Sequence, residues 1–136
     1  LIKIENFMSP NEEFIKKFYE AFRKKDKETY LGMCDEKIEW LTMDGMPHGG
    51  KYVGVKEIFE NYFPKMLSNF KEFHATPETY LDSNDHIIVI GRYRGTSKLG
   101  KAFEVPFSHV YKIKDSKITN FRQFTDTEKI QDSLIP

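Results

Sequence analysis

His109 and Asp126 carry the chemistry that stands out, each a lone titratable group in a stretch that otherwise alternates apolar and polar residues. The stretch runs from Phe103 to Thr127, FEVPFSHVYKIKDSKITNFRQFTDT, and turns at Lys114-Asp115-Ser116-Lys117. Burying a titratable group on an apolar strand face is costly, so its presence asks for a reason, and a ligand pocket is one. In an apolar cavity a carboxylate becomes more basic through desolvation. An imidazole beside it can supply a hydrogen bond to a developing negative oxygen. A base and a donor together are what proton abstraction next to a carbonyl requires.

Spacing decides whether the two can cooperate. With a two-residue turn at Asp115-Ser116, position 109 faces 122 and position 126 faces 105. His109 and Asp126 then share a sheet face with Phe103, Val105, Phe107, Tyr111 and Phe124, about 13 Å apart on an ideal ladder. That is too far for a direct hydrogen bond, so cooperation needs a substrate between them or a bulge. A three-residue turn sends Asp126 to the opposite face. The same register sets Arg122 beside His109, where a cation favours neutral imidazole and can pair with an anionic ligand. Each residue also has a plainer reading. His109 can be a satisfied core histidine, Arg122 a solvent-facing or edge cation, and Asp126 the cap of a helix beginning at Thr127-Glu128.

The elements that position these groups are legible from periodicity. Ser9-Pro10-Asn11-Glu12 reads as a helix start with a capping box, followed by Phe14, Ile15, Phe18 and Phe22 on one face. Asp26 caps a second short helix carrying Tyr30, Leu31 and Met33. A strand over 36–43 leads into a glycine-rich loop over 44–54. Ile58, Phe59, Tyr62, Phe63 and Met66 form a third amphipathic helix, which Pro64 kinks or ends early. Strands follow over about 71–82, 86–97, 101–114 and 117–126, separated by turn signals. Gly91 and Gly95 suit a sharp bend, and Pro106 suits an edge or a bulge. Helices first and hairpin-linked strands after argue for one α+β domain over 1–136, its curved sheet leaving a hollow against the helices.

Composition narrows the partners. The 136 residues carry 21 Lys and Arg against 21 Asp and Glu, which gives no positive excess for nucleic acid or an acidic membrane surface. Twelve Phe and seven Tyr are enough to line a core or a cavity. The single Cys34 excludes an internal disulfide within the chain and reads as a small core residue rather than a nucleophile. His48, His74 and His86 lack metal-ligand spacing, and Asp82-Ser83-Asn84-Asp85 reads as a turn rather than a calcium loop. No apolar run approaches a membrane span and no signal-peptide pattern opens the chain, so a cytoplasmic protein is expected. Opening on Leu, LIKIENF reads as a trimmed or added start.

Three pieces carry a resemblance: FYEAFRKKDKETY, IEWLTMDGMPHGGKYVGVKEIFENYF and HVYKIKDSKITNFRQFTDT. The chain resembles the SnoaL-like polyketide cyclase and ketosteroid isomerase-related group of the nuclear transport factor 2-like superfamily. The resemblance implies a cone in which three N-terminal helices pack in a curved antiparallel or mixed sheet. It implies cofactor-free acid–base chemistry of isomerase, cyclase or dehydratase type on a small hydrophobic carbonyl compound, with Asp126 as base and His109 as donor. Trp40, Tyr52, Tyr19, Phe63, Phe107 and Arg122 are the substrate-binding residues on this reading. It also implies a homodimer joined through the outer sheet face around Ser108 and Val110. The isomerase base position falls near Thr42, and its oxyanion tyrosine near Phe18, with Tyr19 one place and about 100° around the helix. The alternative is a non-catalytic ligand-binding or dimerisation module, which an interior filled by the chain's own rings would favour.

Overall fold

The computed structural model describes residues 8–136; the opening LIKIENF lies outside them. Helix α1 (Pro10–Arg23) starts as the sequence specifies, with the Ser9 side chain accepting from the Glu12 amide. It buries Ile15, Phe18 and Ala21 against the sheet. Asp26 caps α2 (Lys27–Gly32) through the Thr29 amide. The first strand, β1 (Cys34–Leu41), and a short β2 (Lys51–Val53), which the glycine-rich reading of the loop conceals, pair antiparallel.

The third helical segment departs from a plain α-helix. It opens as a π-helical turn, Glu57–Tyr62, and continues as α3 (Phe63–Leu67). The Phe63 amide bonds back to Ile58 rather than Phe59, one residue wider than in an α-helix. Pro64 supplies the reason: it has no amide for Glu60, and its ring crowds that carbonyl.

Four strands complete the sheet: β3 (Phe70–Ser83), β4 (His86–Ser97), β5 (Ala102–Lys114) and β6 (Lys117–Thr125). A final helix, α4 (Thr127–Asp132), follows. The order is β2-β1-β6-β5-β4-β3, and β1 lies parallel to β6 while the other neighbours are antiparallel. The result is an α+β architecture with an open mixed sheet. Helix α1 packs on β3 and β4, and α2 on β1. Pro106 lies opposite Arg92 and just beyond the last β5–β6 pair, Phe107 with Thr125, where β5 has lost one neighbour. No helix among the described residues is long and apolar enough to cross a membrane.

The β5–β6 hairpin decides which residues face inward. The turn is the expected two-residue one, with Lys114 opposite Lys117 and positive φ at Asp115 and Ser116. A bulge follows. Ile113 pairs with Ile118, but Lys112 pairs with Asn120, so Thr119 is extra. Every later residue of β6 changes face: His109 stands opposite Gln123, and Phe121 and Gln123 are buried while Arg122 and Phe124 are exposed. The expected shared face of His109, Asp126, Arg122 and Phe124 is therefore overturned. The bulged register keeps a guanidinium out of the apolar interior, where it would be costly.

Candidate functional site

Strand alternation on β5 turns Phe103, Val105, Phe107, His109 and Tyr111 toward the helices, all buried. His109 is 4 % exposed and both of its ring nitrogens are partnered by tyrosines. The Tyr19 hydroxyl on α1 lies 2.6 Å from Nδ1. The Tyr93 hydroxyl, two residues along β4 from Gly91, meets Nε2. Gln123 Nε2 donates to the Tyr93 oxygen at 2.8 Å, and the Met43 amide at the end of β1 donates to Gln123 Oε1 at 3.4 Å. Because β1 runs parallel to β6, the residues just past Leu41 stay beside those just past Arg122, which brings Met43 to Gln123. The chain of contacts thus links the four inner strands of the mixed sheet to α1.

Rings enclose this polar line. Phe107 stacks on His109 with centroids 4.0 Å apart, and the Phe121 edge meets it at 4.8 Å. Phe107 reaches that position over Gly91, where a Cβ would stand 2.6 Å from its Cζ and 2.3 Å from the Thr76 carbonyl oxygen. Burial pushes the His109 pKa down from its ordinary 6.5 to about 3, so the ring is neutral. Burial also raises the Tyr19 and Tyr93 hydroxyls above their ordinary range, and Tyr111 beside Tyr19 adds to the first shift. The arrangement is a line of neutral donors and acceptors in an apolar surround. It suits holding a polar atom of a neutral molecule in place rather than delivering a strong base.

The expected site residues divide. Tyr19, Phe107 and His109 are in contact. Trp40 joins them through Phe121, on which it stacks at 3.8 Å, and Phe63 packs edge-on against Trp40 at 5.6 Å. Tyr52 lies further off, its ring against Tyr62 and its hydroxyl donating to the His48 carbonyl. Arg122 is exposed, its guanidinium 5.0 Å from the Phe124 ring centre. Asp126 is exposed as well and caps α4, accepting from the Lys129 amide at 3.1 Å. Among the described residues the buried polar side chains are Thr42, Ser97, His109, Gln123 and Ser133, and none is a carboxylate. Thr42 pins the glycine-rich loop, its hydroxyl accepting from the Gly50 amide. Phe18 is core, and it is Tyr19 that reaches the imidazole.

Tyr93 and Gln123 escape the sequence reading. Tyr93 follows Ile87, Val89 and Gly91 on the inward positions of β4, so a phenol on that face was a usable signal. Gln123 had none, because its face depends on the bulge at Thr119. Cys34 is buried, donates to the Tyr30 carbonyl, and has its thiol pushed up to about 12 by that burial, which makes it a core residue. No cluster of three His, Cys, Asp or Glu side chains suited to a metal occurs among the described residues. Two grooves open on the surface, one bordered by Leu41, Val110 and Arg122 and the other by Val53, Val55 and Glu57. His109, Tyr19 and Tyr93 line neither. The hollow expected between sheet and helices is occupied by interlocking rings, Phe18, Trp40, Phe59 and Tyr111 among them.

The SnoaL-like domain family matches residues 15–121. An NTF2-like protein from Burkholderia thailandensis E264 is 30% identical, with a TM-score of 0.87 over 95% of this chain and 100% of that one. TerC, solved after co-crystallisation with polyporic acid, is 26% identical, with a TM-score of 0.85 over 93% of this chain and 98% of that one. A putative SnoaL-like polyketide cyclase from Jannaschia sp. CCS1 shares the fold at 15% identity, with a TM-score of 0.77 over 95% and 97% of the two chains. No curated protein matches the chain.

Proposed function

The chain belongs to the SnoaL-like domain family, and from that premise we propose that it binds a small hydrophobic carbonyl compound, placing the carbonyl oxygen at the Tyr19 hydroxyl. The observation that carries this reading is the neutral His109 held between Tyr19 and Tyr93 within a wall of rings. Tyr19 is half-buried, as are Phe14 on α1 and, on β3, Phe73 and the Tyr80 whose ring meets that of Tyr19. A planar ligand enters there by rotation of those rings, which costs less than opening the fully buried core. The ligand-bearing relative TerC supports a small molecule as the occupant.

Binding is favoured over turnover by the placement of the carboxylates. Enolisation needs a base of adequate strength near the carbon acid. Asp126 faces solvent as a helix cap, and an imidazole with a pKa of about 3 is a weak base. Cofactor-free acid–base catalysis of isomerase or cyclase type is the second reading, supported by the tyrosine donor, which suits an enolate oxygen.

The single Trp40, stacked on Phe121, gives the test. Titration with a panel of aromatic ketones and quinones, polyporic acid among them, should quench its emission saturably. Tyr19→Phe should weaken binding about tenfold, the worth of one hydrogen bond in an apolar site. If no member of the panel binds, the reading falls and the ring-filled interior is that of a non-catalytic module. Self-association through the outer sheet face belongs to the same proposal.

A further inference from the structure

We propose that Gln123 sets the direction of the hydrogen-bond line through His109 and so makes Tyr19 a donor to whatever occupies the site, selecting ligands that present an oxygen acceptor. This rests on the ligand reading above and adds a specificity-determining residue to it.

The argument starts at a group that cannot reverse. The Met43 backbone amide can only donate, so the Gln123 oxygen must face it, at 3.4 Å. The other end of the carboxamide, Nε2, then faces the Tyr93 oxygen at 2.8 Å and donates to it. Tyr93 has one proton of its own, and His109 Nε2 is the acceptor beside it. A neutral imidazole whose Nε2 accepts carries its proton on Nδ1. Nδ1–H therefore donates to the Tyr19 oxygen across 2.6 Å. The Tyr19 proton is left on the side away from the imidazole, where the Tyr111 hydroxyl and an acceptor on the ligand compete for it. Reversing the line would aim two donors at the Tyr93 oxygen and leave its own proton without a place among these groups. The direction is thus fixed four groups away from the ligand, and each link in an apolar surround strengthens the next.

Gln123→Glu inverts the logic with almost no change in shape. With the new carboxyl ionised, one oxygen still accepts from Met43, but the other can only accept from Tyr93. Tyr93 then receives from His109 Nε2–H, and Tyr19 must donate its proton to Nδ1. Long-range proton–nitrogen correlation of the 15N-labelled imidazole reads the tautomer with no ligand present. The wild-type ring is expected as Nδ1–H and the variant ring, at alkaline pH where the carbon shift of the new carboxyl reports ionisation, as Nε2–H. A wild-type Nε2–H tautomer overturns the proposal whether or not the variant folds, and so does an unchanged tautomer in a folded, ionised variant. Binding then tests the consequence with indanone, an acceptor, against indole, a donor of similar size. Wild type is expected to favour indanone about tenfold, one hydrogen bond's worth, and the variant to lose that preference. Equal preference in both, with the tautomers as expected, overturns the selective role of Tyr19. Failure of both probes to bind the wild type counts against the ligand reading, and the tautomer still judges Gln123.

Discussion

At the scale of single residues, His109 couples the site to stability. The unfolded chain takes up the imidazole proton near pH 6.5, and the folded chain only near 3. Between those values the unfolded state binds more protons, so stability falls as the pH falls through the window. The slope from this one group is about 1.4 kcal/mol per pH unit. Urea denaturation between about pH 7 and pH 4.5, above the range where carboxylates dominate, should show that loss. In His109→Gln the slope should flatten toward zero even if the variant is less stable throughout. A slope that survives the substitution would assign the acid sensitivity to other groups. Asp126 offers the contrasting case of a residue whose type suggested chemistry and whose place gives it a structural task. Its exposed carboxylate satisfies the Lys129 amide at the start of α4, which is what its position ahead of Thr127-Glu128 also allowed.

At the scale of elements, the ring stack on His109 and the close approach of β3 to β4 depend on the same glycine. Phe107 lies over Gly91, so Gly91→Ala must push both that ring and the Thr76 carbonyl. The substitution should destabilise the fold by about 1–3 kcal/mol, the range for overpacking, and release Phe107 from His109. Thermal denaturation together with the His109 ring shifts checks both parts; a neutral effect would mean that β3 yields freely at Pro77, where its register already slips. Gly91 and Gly95 were legible as breaks in an apolar strand, where the structure brings Phe107 and Phe103 close over them. So were the capped starts of α1 and α2, the hairpin turn with its Asp115-Ser116 pair, and Tyr19 and His109 as candidate site residues. The bulge was not. Nothing in LysIle-ThrAsnPhe order at 117–121 marks Thr119 as extra, since the choice is made by which register buries Phe121 and leaves Arg122 in water. One residue of slip therefore separated a readable turn from an unreadable site face, and Gln123 was lost with it.

At the scale of the whole molecule, the sheet carries apolar side chains on both faces, and among the described residues helices cover only one of them. The residues opposite the core line up across strands: Leu41, Arg122, Val110, Ile88 and Leu81 form one row by register, and Phe124, Ser108 and Ile90 the next. Leu41 is 36%, Phe124 40% and Ile90 42% exposed, more than a lone monomer usually leaves in one place. A two-fold partner presents the same patch to itself, so an apolar face bordered by Glu39 and Lys51 on one side is self-complementary in kind. Stable association needs about 800 Å² from each copy, which a sheet face of four strands can supply. Sedimentation at micromolar concentration is expected to give a dimer. Ile90→Glu together with Phe124→Asp should give a monomer with an unchanged far-ultraviolet spectrum, because both side chains point away from the core. A wild-type monomer at high concentration would end the dimer reading, whereas a dimer that survives the double substitution would move the interface to another face.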